Sequence, residues 1–228
     1  MSDRIVPRRA RRHLGLGVCL SLALTGCSYV TSYIHPSEGL KQRPGVVAVL
    51  PVAVATNVPE GDVLPEADRV LTAQIYGILA QYPIWNWIPD SQTADELLHV
   101  PKEGPIEQRA IALGKADGAD SVLCGTVLRY QERIGGPYGA SQPASIAFTL
   151  SLVAVRSGEV LWTGGFDQTQ EPLTSNVLNF WQFWRAGSAK WFSAQEYAQI
   201  AVEHVIEDLK RRIQATPVEV EAEAAPTP

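Results

Sequence analysis

The order of periodicities predicts an α/β fold: one domain with a mixed sheet of about five strands and helices packed on it. Three observations carry this. Val46-Val47-Ala48-Val49-Leu50-Pro51-Val52 is a continuous apolar, β-branched run that reads as a buried strand. Ser145–Arg156 alternates at period two, with Ile146, Phe148, Leu150, Leu152 and Ala154 on one face. Two stretches, 65–82 and 193–213, place apolar residues at helical spacing. The resulting order is β-α-β-α-α-β-β-β-α over residues 45–215.

Each element follows from local signals. Val46–Leu50 is a strand that breaks or bulges at Pro51, which cannot donate to a ladder. A helix is expected from Pro65, a favoured first helical position, with Ala67, Leu71, Ile75, Ile78, Leu79 and Tyr82 as its apolar stripe. Pro83 ends it. Ile84–Ile88 alternates between prolines and reads as a short edge strand. Thr93 and Glu96 have capping-box spacing, which predicts a helix start at Thr93.

Pro105 opens the next helix, with Ile106, Ala110 and Leu113 inward and Gly118 capping its end. Ser121–Gln131 is the second long strand. The Gly135-Gly136-Pro137-Tyr138-Gly139 stretch is expected to be a flexible loop before Ser145–Arg156. Ser157-Gly158 turns the chain into Glu159–Gln168, closing a hairpin. The last helix begins at a second capping box, Ser193 with Glu196, and buries Tyr197, Ala201, Val205, Leu209 and Ile213. Residues 216–228 lack any period and read as a disordered acidic tail.

The amino terminus carries a different signal. Arg4, Arg8, Arg9, Arg11 and Arg12 precede an apolar run, Leu14–Leu24, too short to span a bilayer. Leu24-Thr25-Gly26-Cys27 follows, and the whole resembles a bacterial lipoprotein signal. The resemblance implies cleavage after residue 26, acyl chains on Cys27, and a tether over 27–44. Ser28, where an aspartate would signal retention at the inner membrane, favours the outer membrane facing the periplasm.

Removing residues 1–26 takes away five arginines and Asp3, a net +4, so the formal −5 becomes −9. So acidic a body is unsuited to nucleic acid, and attachment to a bilayer falls to the acyl chains. Cys19 leaves with the signal and Cys27 takes the lipid, so Cys124 is left as a core thiol in an apolar strand.

The sequence offers no catalytic residue, metal site or cofactor motif. It has no Gly-x-Ser-x-Gly, Ser-x-x-Lys, Walker loop, His-Glu-x-x-His or paired-cysteine spacing. His204 and Asp208, four apart on the last helix, read as a solvated polar pair.

The unusual feature is aromatic. Phe180, Trp181, Phe183, Trp184, Trp191 and Phe192 are six of the chain's 18 aromatic residues, gathered within thirteen positions of the insert 176–192. Two readings stand: a satellite core folded over the sheet, or a surface for an envelope protein or membrane.

Three patches carry a family resemblance: Val47-Ala48-Val49-Leu50-Pro51, Ala119–Val127, and Gly158–Phe166. They are similar to a broad superfamily containing the curli-secretion lipoprotein (CsgG-like), the TolB amino-terminal domain, and lipoprotein activators of penicillin-binding proteins (LpoB-like). The resemblance implies a periplasm-facing α/β domain that binds other envelope proteins and has no catalytic residues. The expectation is a non-enzymatic adaptor or assembly factor of an envelope complex. A subunit of an outer-membrane export pore is the alternative, disfavoured because Ile134–Ser145 is too short for spanning strands. Whether the chain self-associates into a homo-oligomer is left open.

Overall fold

The computed structural model describes residues 40–82, 86–171 and 190–216. Cys27 and most of the aromatic insert lie outside them. The described residues form a mixed sheet in the order β3-β1-β4-β7-β8, with β2 also on β4. β1 (Val46–Val49), β2 (Ala53–Val54) and β3 (Asn86–Trp87) make only parallel pairs, while β4 (Ser121–Gln131), β7 (Ser145–Ala154) and β8 (Val160–Thr169) form an antiparallel meander. The α/β class and mixed sheet expected from the sequence are therefore present.

Pro51 divides the first strand as anticipated. The chain resumes on the same partner, since β1 registers Val47 to Ser121 and β2 registers Ala53 to Thr126. Proline's missing donor costs nothing at a break between ladder segments.

Helices cover both faces. α1 (Ala67–Leu79) and α4 (Ala194–Ala215) pack on one face, where Leu71, Ile75, Val202, Val205 and Leu209 meet Leu123, Phe148, Leu150 and Leu152. α3 (Ile106–Asp117) covers the other, where Ala110 and Leu113 meet Val122, Cys124 and Val153. α2 (Asp90–Glu96) lies between α3 and β1. Gly114 lets α3 sit this close: a Cβ there would come within 2.3 Å of Val155 Cγ2 and 2.8 Å of Val122 Cγ2.

Two helix starts differ from expectation. α1 begins at Ala67, because Glu66 takes a left-handed conformation (φ 66°) and breaks the helix after Pro65. α2 begins at Asp90 behind Pro89, and Thr93 lies inside it, fully buried, with its hydroxyl donating to Pro89 O at 3.4 Å. Thr93 is occupied in packing, so the Thr93/Glu96 spacing makes no cap. The 135–139 stretch also departs from a plain loop. β5 (Ile134–Gly136) and β6 (Gly139–Gln142) pair as a small hairpin, and Gly135 (φ 109°) is required because a Cβ would meet Gly139 O at 2.5 Å.

Leu40 is buried and donates its N–H to Thr216 Oγ1 at 2.8 Å, and Thr216 is itself 5% exposed. A buried hydrogen bond thus joins Leu40 to the residue that follows α4.

His204 and Asp208 do not form a solvated pair. Asp208 is 7% exposed and faces the sheet, accepting from Trp162 Nε1 at 3.1 Å and Arg212 Nε at 3.0 Å. This network pins α4 to the edge strand β8. Removing the carboxylate strands an indole N–H and a guanidinium against the core. Asp208→Ala should therefore lower unfolding free energy by about 3 kcal/mol, read by chemical denaturation.

Asp117, at the end of α3, has its pKa raised, chiefly by burial and also by nearby Glu96. Its Oδ2 is sealed without a hydrogen-bond partner. A raised folded-state pKa gives stability that is full below the unfolded pKa and is lost as pH rises through the folded value. Asp117→Asn should thus be more stable than the parent at pH 7. The gap should close as pH falls below the ordinary carboxylate range, measured by denaturation across pH.

Candidate partner-binding site

The described part of the aromatic insert is its return into the domain, Lys190-Trp191-Phe192, just before α4. Three elements meet there: the end of β8, the β5–β6 hairpin, and the N-terminus of α4. Gln170, 3% exposed, follows β8 directly. Its N–H donates to Ala144 O at 2.9 Å, its Nε2 donates to Lys190 O at 3.0 Å, and its Oε1 accepts from Phe192 N–H at 2.8 Å. One buried amide therefore holds the chain where it leaves the sheet and where it comes back.

The hairpin is tied to the same point. Trp191 N–H donates to Pro137 O at 2.7 Å, and Arg133 Nη1 donates to Trp191 O at 2.9 Å. Arg133 Nε also reaches Gly135 O at 3.3 Å, so one guanidinium spans hairpin and insert. Ile134 and Tyr138 on the hairpin are exposed, Tyr138 to 84%.

The α4 start is built as its sequence predicts. Glu196 N–H donates to Ser193 Oγ at 3.2 Å, and Ser193 N–H donates to Glu196 Oε2 at 2.9 Å, a reciprocal capping box. Lys190 Nζ pairs with Glu196 Oε1 at 2.6 Å. The side-chain bond from Lys190 and the backbone bond from Ser193 hold the Glu196 carboxyl below its ordinary range. Glu132 Oε2 accepts from Ala194 N–H at 3.1 Å, satisfying another donor of the first turn.

Phe192 and Trp191 separate in role. Phe192 is 5% exposed and stacks on Tyr197 at 6.4 Å; Tyr197 meets Phe166 edge-on at 5.6 Å, and Phe166 stacks on Phe148 at 6.2 Å. Phe192 thus belongs to an internal aromatic chain and is a core residue, 5% exposed within the same cluster as Tyr197 and Phe148. Trp191 is half-buried at the hairpin. Phe180, Trp181, Phe183 and Trp184 lie outside the described residues, as does Cys27.

Cys124 is 1% exposed, with its thiol 3.6 Å from Ser151 O. Burial first, and Glu107 nearby, push its pKa up to about 12, which leaves an inert thiol as expected. Among the described residues, no three His, Cys, Asp or Glu side chains gather as metal ligands, and no helix is long and apolar enough to cross a membrane.

Sequence reasoning missed Gln170 and Arg133. A glutamine closing a strand and an arginine before a glycine pair carry no periodic signal; their partners lie 20 and 58 residues away.

No family model matches the chain, and no curated protein matches it. Solved structures similar to it include a PelC dodecamer from Paraburkholderia phytofirmans, 17% identical, covering 76% of this chain and 93% of that one with a TM-score of 0.46. LpoB from E. coli is 19% identical, covering 58% of this chain and 61% of that one with a TM-score of 0.39. A lipoprotein from Neisseria meningitidis is 17% identical, covering 63% and 94% with a TM-score of 0.39. At such identities and scores, no shared partner or activity follows from the likeness.

Ser193→Ala should cost about 1 kcal/mol of stability through the lost cap, read as a lower denaturation midpoint with an unchanged slope.

Proposed function

We propose that this chain is a non-enzymatic lipoprotein, anchored by acyl chains on Cys27 and facing the periplasm from the outer membrane. Its α/β domain then acts as an adaptor or assembly factor for an envelope protein complex. The observation that carries this reading is the Leu24-Thr25-Gly26-Cys27 box behind a basic cluster and a short apolar run. An acidic mature body supports lipid, rather than charge, as the means of attachment.

The aromatic insert is the proposed contact surface, with Trp181, Trp184 and Trp191 as anchors beside Phe180 and Phe183. Tryptophan supplies large apolar area with a polar edge, which suits a protein interface. What supports this geometry is the rooting of the insert: Phe192 is in the core and Trp191 stands next to an exposed hairpin. The export-pore alternative gains nothing from that hairpin, whose strands of three and four residues fall short of the roughly 9–11 needed to span.

Cys27→Ala should abolish labelling by a palmitate analogue in cells and move the protein out of the membrane fraction. Labelling that persists would remove the anchor from the reading. In-envelope crosslinking tests the surface separately: replacing Trp181, Trp184 and Trp191 together by alanine should sharply reduce a partner adduct. An undiminished adduct would sink the aromatic site.

A further inference from the structure

The β5–β6 hairpin carries an apolar surface with no charge on it. Ile134 and Tyr138 are both more than half exposed, and half-buried Trp191 is bonded to the turn between the strands through Pro137 O. From Ile134 to Ala144 the chain has no charged residue, although 19% of the whole chain is charged. Charge ordinarily collects on exposed segments, so a bare, uncharged hairpin marks a surface that meets something other than water.

Charge is present at the root of the hairpin, and there it is already engaged. Glu132 Oε2 accepts from Ala194 N–H, and Arg133 donates to Gly135 O and Trp191 O. Ser141 Oγ donates to Ile134 O at 3.2 Å. The Tyr138 hydroxyl and the Gln142 amide are the other polar side-chain groups of the hairpin.

A shaped protein partner is read through hydrogen bonds and polar groups ringing an apolar anchor, and this tip offers few. A lipid–water interface asks for neither. It takes modest apolar area, no charge to desolvate, and rings with one polar edge, which Ile134, Tyr138 and Trp191 supply. The size agrees. Strands of three and four residues extend about 10–14 Å, near the roughly 5–10 Å over which apolar groups enter the headgroup boundary.

We propose that the β5–β6 hairpin is a second membrane contact, laying Ile134 and Tyr138 into the headgroup region of the bilayer that holds Cys27. This rests on the reading of Cys27 as the acylated anchor and is separate from the partner surface of the insert. An acyl anchor fixes where the chain is held, and a contact at the hairpin fixes which end of the domain faces lipid. With one attachment covalent, the second acts at high effective concentration, so a weak affinity suffices.

The test places a polarity-sensitive dye beside the tip of the full lipidated chain. The chain is reconstituted in vesicles of phosphatidylethanolamine and phosphatidylglycerol that contain nitroxide-labelled lipid as quencher. Gly139→Cys carries the dye, since a Cβ there meets nothing within 4 Å. Buried, inert Cys124 does not compete for the label. Leu98→Cys, likewise exposed but on the connection between α2 and α3, is the comparison site.

The dye at Gly139→Cys should be quenched several-fold more than the dye at Leu98→Cys. Adding Ile134→Ser and Tyr138→Ser should bring it down to the Leu98 level; both side chains are exposed, so the fold persists. Equal quenching at the two sites, or quenching that survives the double serine variant, would overturn the proposal. A protein adduct from a photo-crosslinker at Tyr138 in cells, with no quenching in vesicles, would assign the tip to a protein and overturn it too. If the chain proves not to be acylated, the anchor reading fails by itself, and the same dye with excess vesicles still decides the hairpin.

Discussion

β4 is a strand buried on both faces and paired on both edges, and those four demands have to be met together. Its Leu123 and Val127 point to α1 and α4, while Val122 and Cys124 point to α3. On one edge it pairs parallel with β1 and β2, on the other antiparallel with β7 over ten registered positions. A slip of one residue would move every apolar side chain to the opposite face, so the helices on both sides fix the register at once. The parallel side requires helical crossovers, which α1 and α3 supply, and the antiparallel side allows tight turns. The mixed topology follows from this single strand.

The far end of the sheet depends on polar contacts instead. β8 is the last strand in the described order, and α4 is fastened to it by the buried Asp208 carboxylate between Trp162 and Arg212. The ring of Trp162 lies across Gly164, where a Cβ would come within 2.3 Å of Cζ2. α4 runs about 33 Å from its capping box to the bond between Leu40 and Thr216. One helix therefore links Lys190-Trp191-Phe192, at the return of the aromatic insert, to the contact of Thr216 with Leu40.

Much of the fold was legible because burial leaves a period. The stripe Leu71, Ile75, Ile78 and Leu79 is buried as read, as is Tyr197, Ala201, Val205, Leu209 and Ile213. Local caps were legible where nothing competed for them: Ser193 and Glu196 formed their box, and Gly118 took its left-handed turn. Thr93 with Glu96 has the same spacing, yet tertiary packing buried the threonine inside a helix that starts earlier. Asp208 looked like a surface residue because nothing nearby in sequence announces Trp162, 46 positions away. Composition singled out the aromatic cluster, but it could not separate Phe192, a core ring, from half-buried Trp191.

By itself the sequence determined the class of fold and the order of its main elements. These are local or periodic properties, written in neighbouring residues. Only the tertiary structure decided that Gln170 and Arg133 hold Lys190, Trp191 and Phe192 and that Leu40 meets Thr216. Those contacts join residues from 20 to 176 positions apart, and a hydrogen bond at such a distance depends on where the packed helices and strands bring each group.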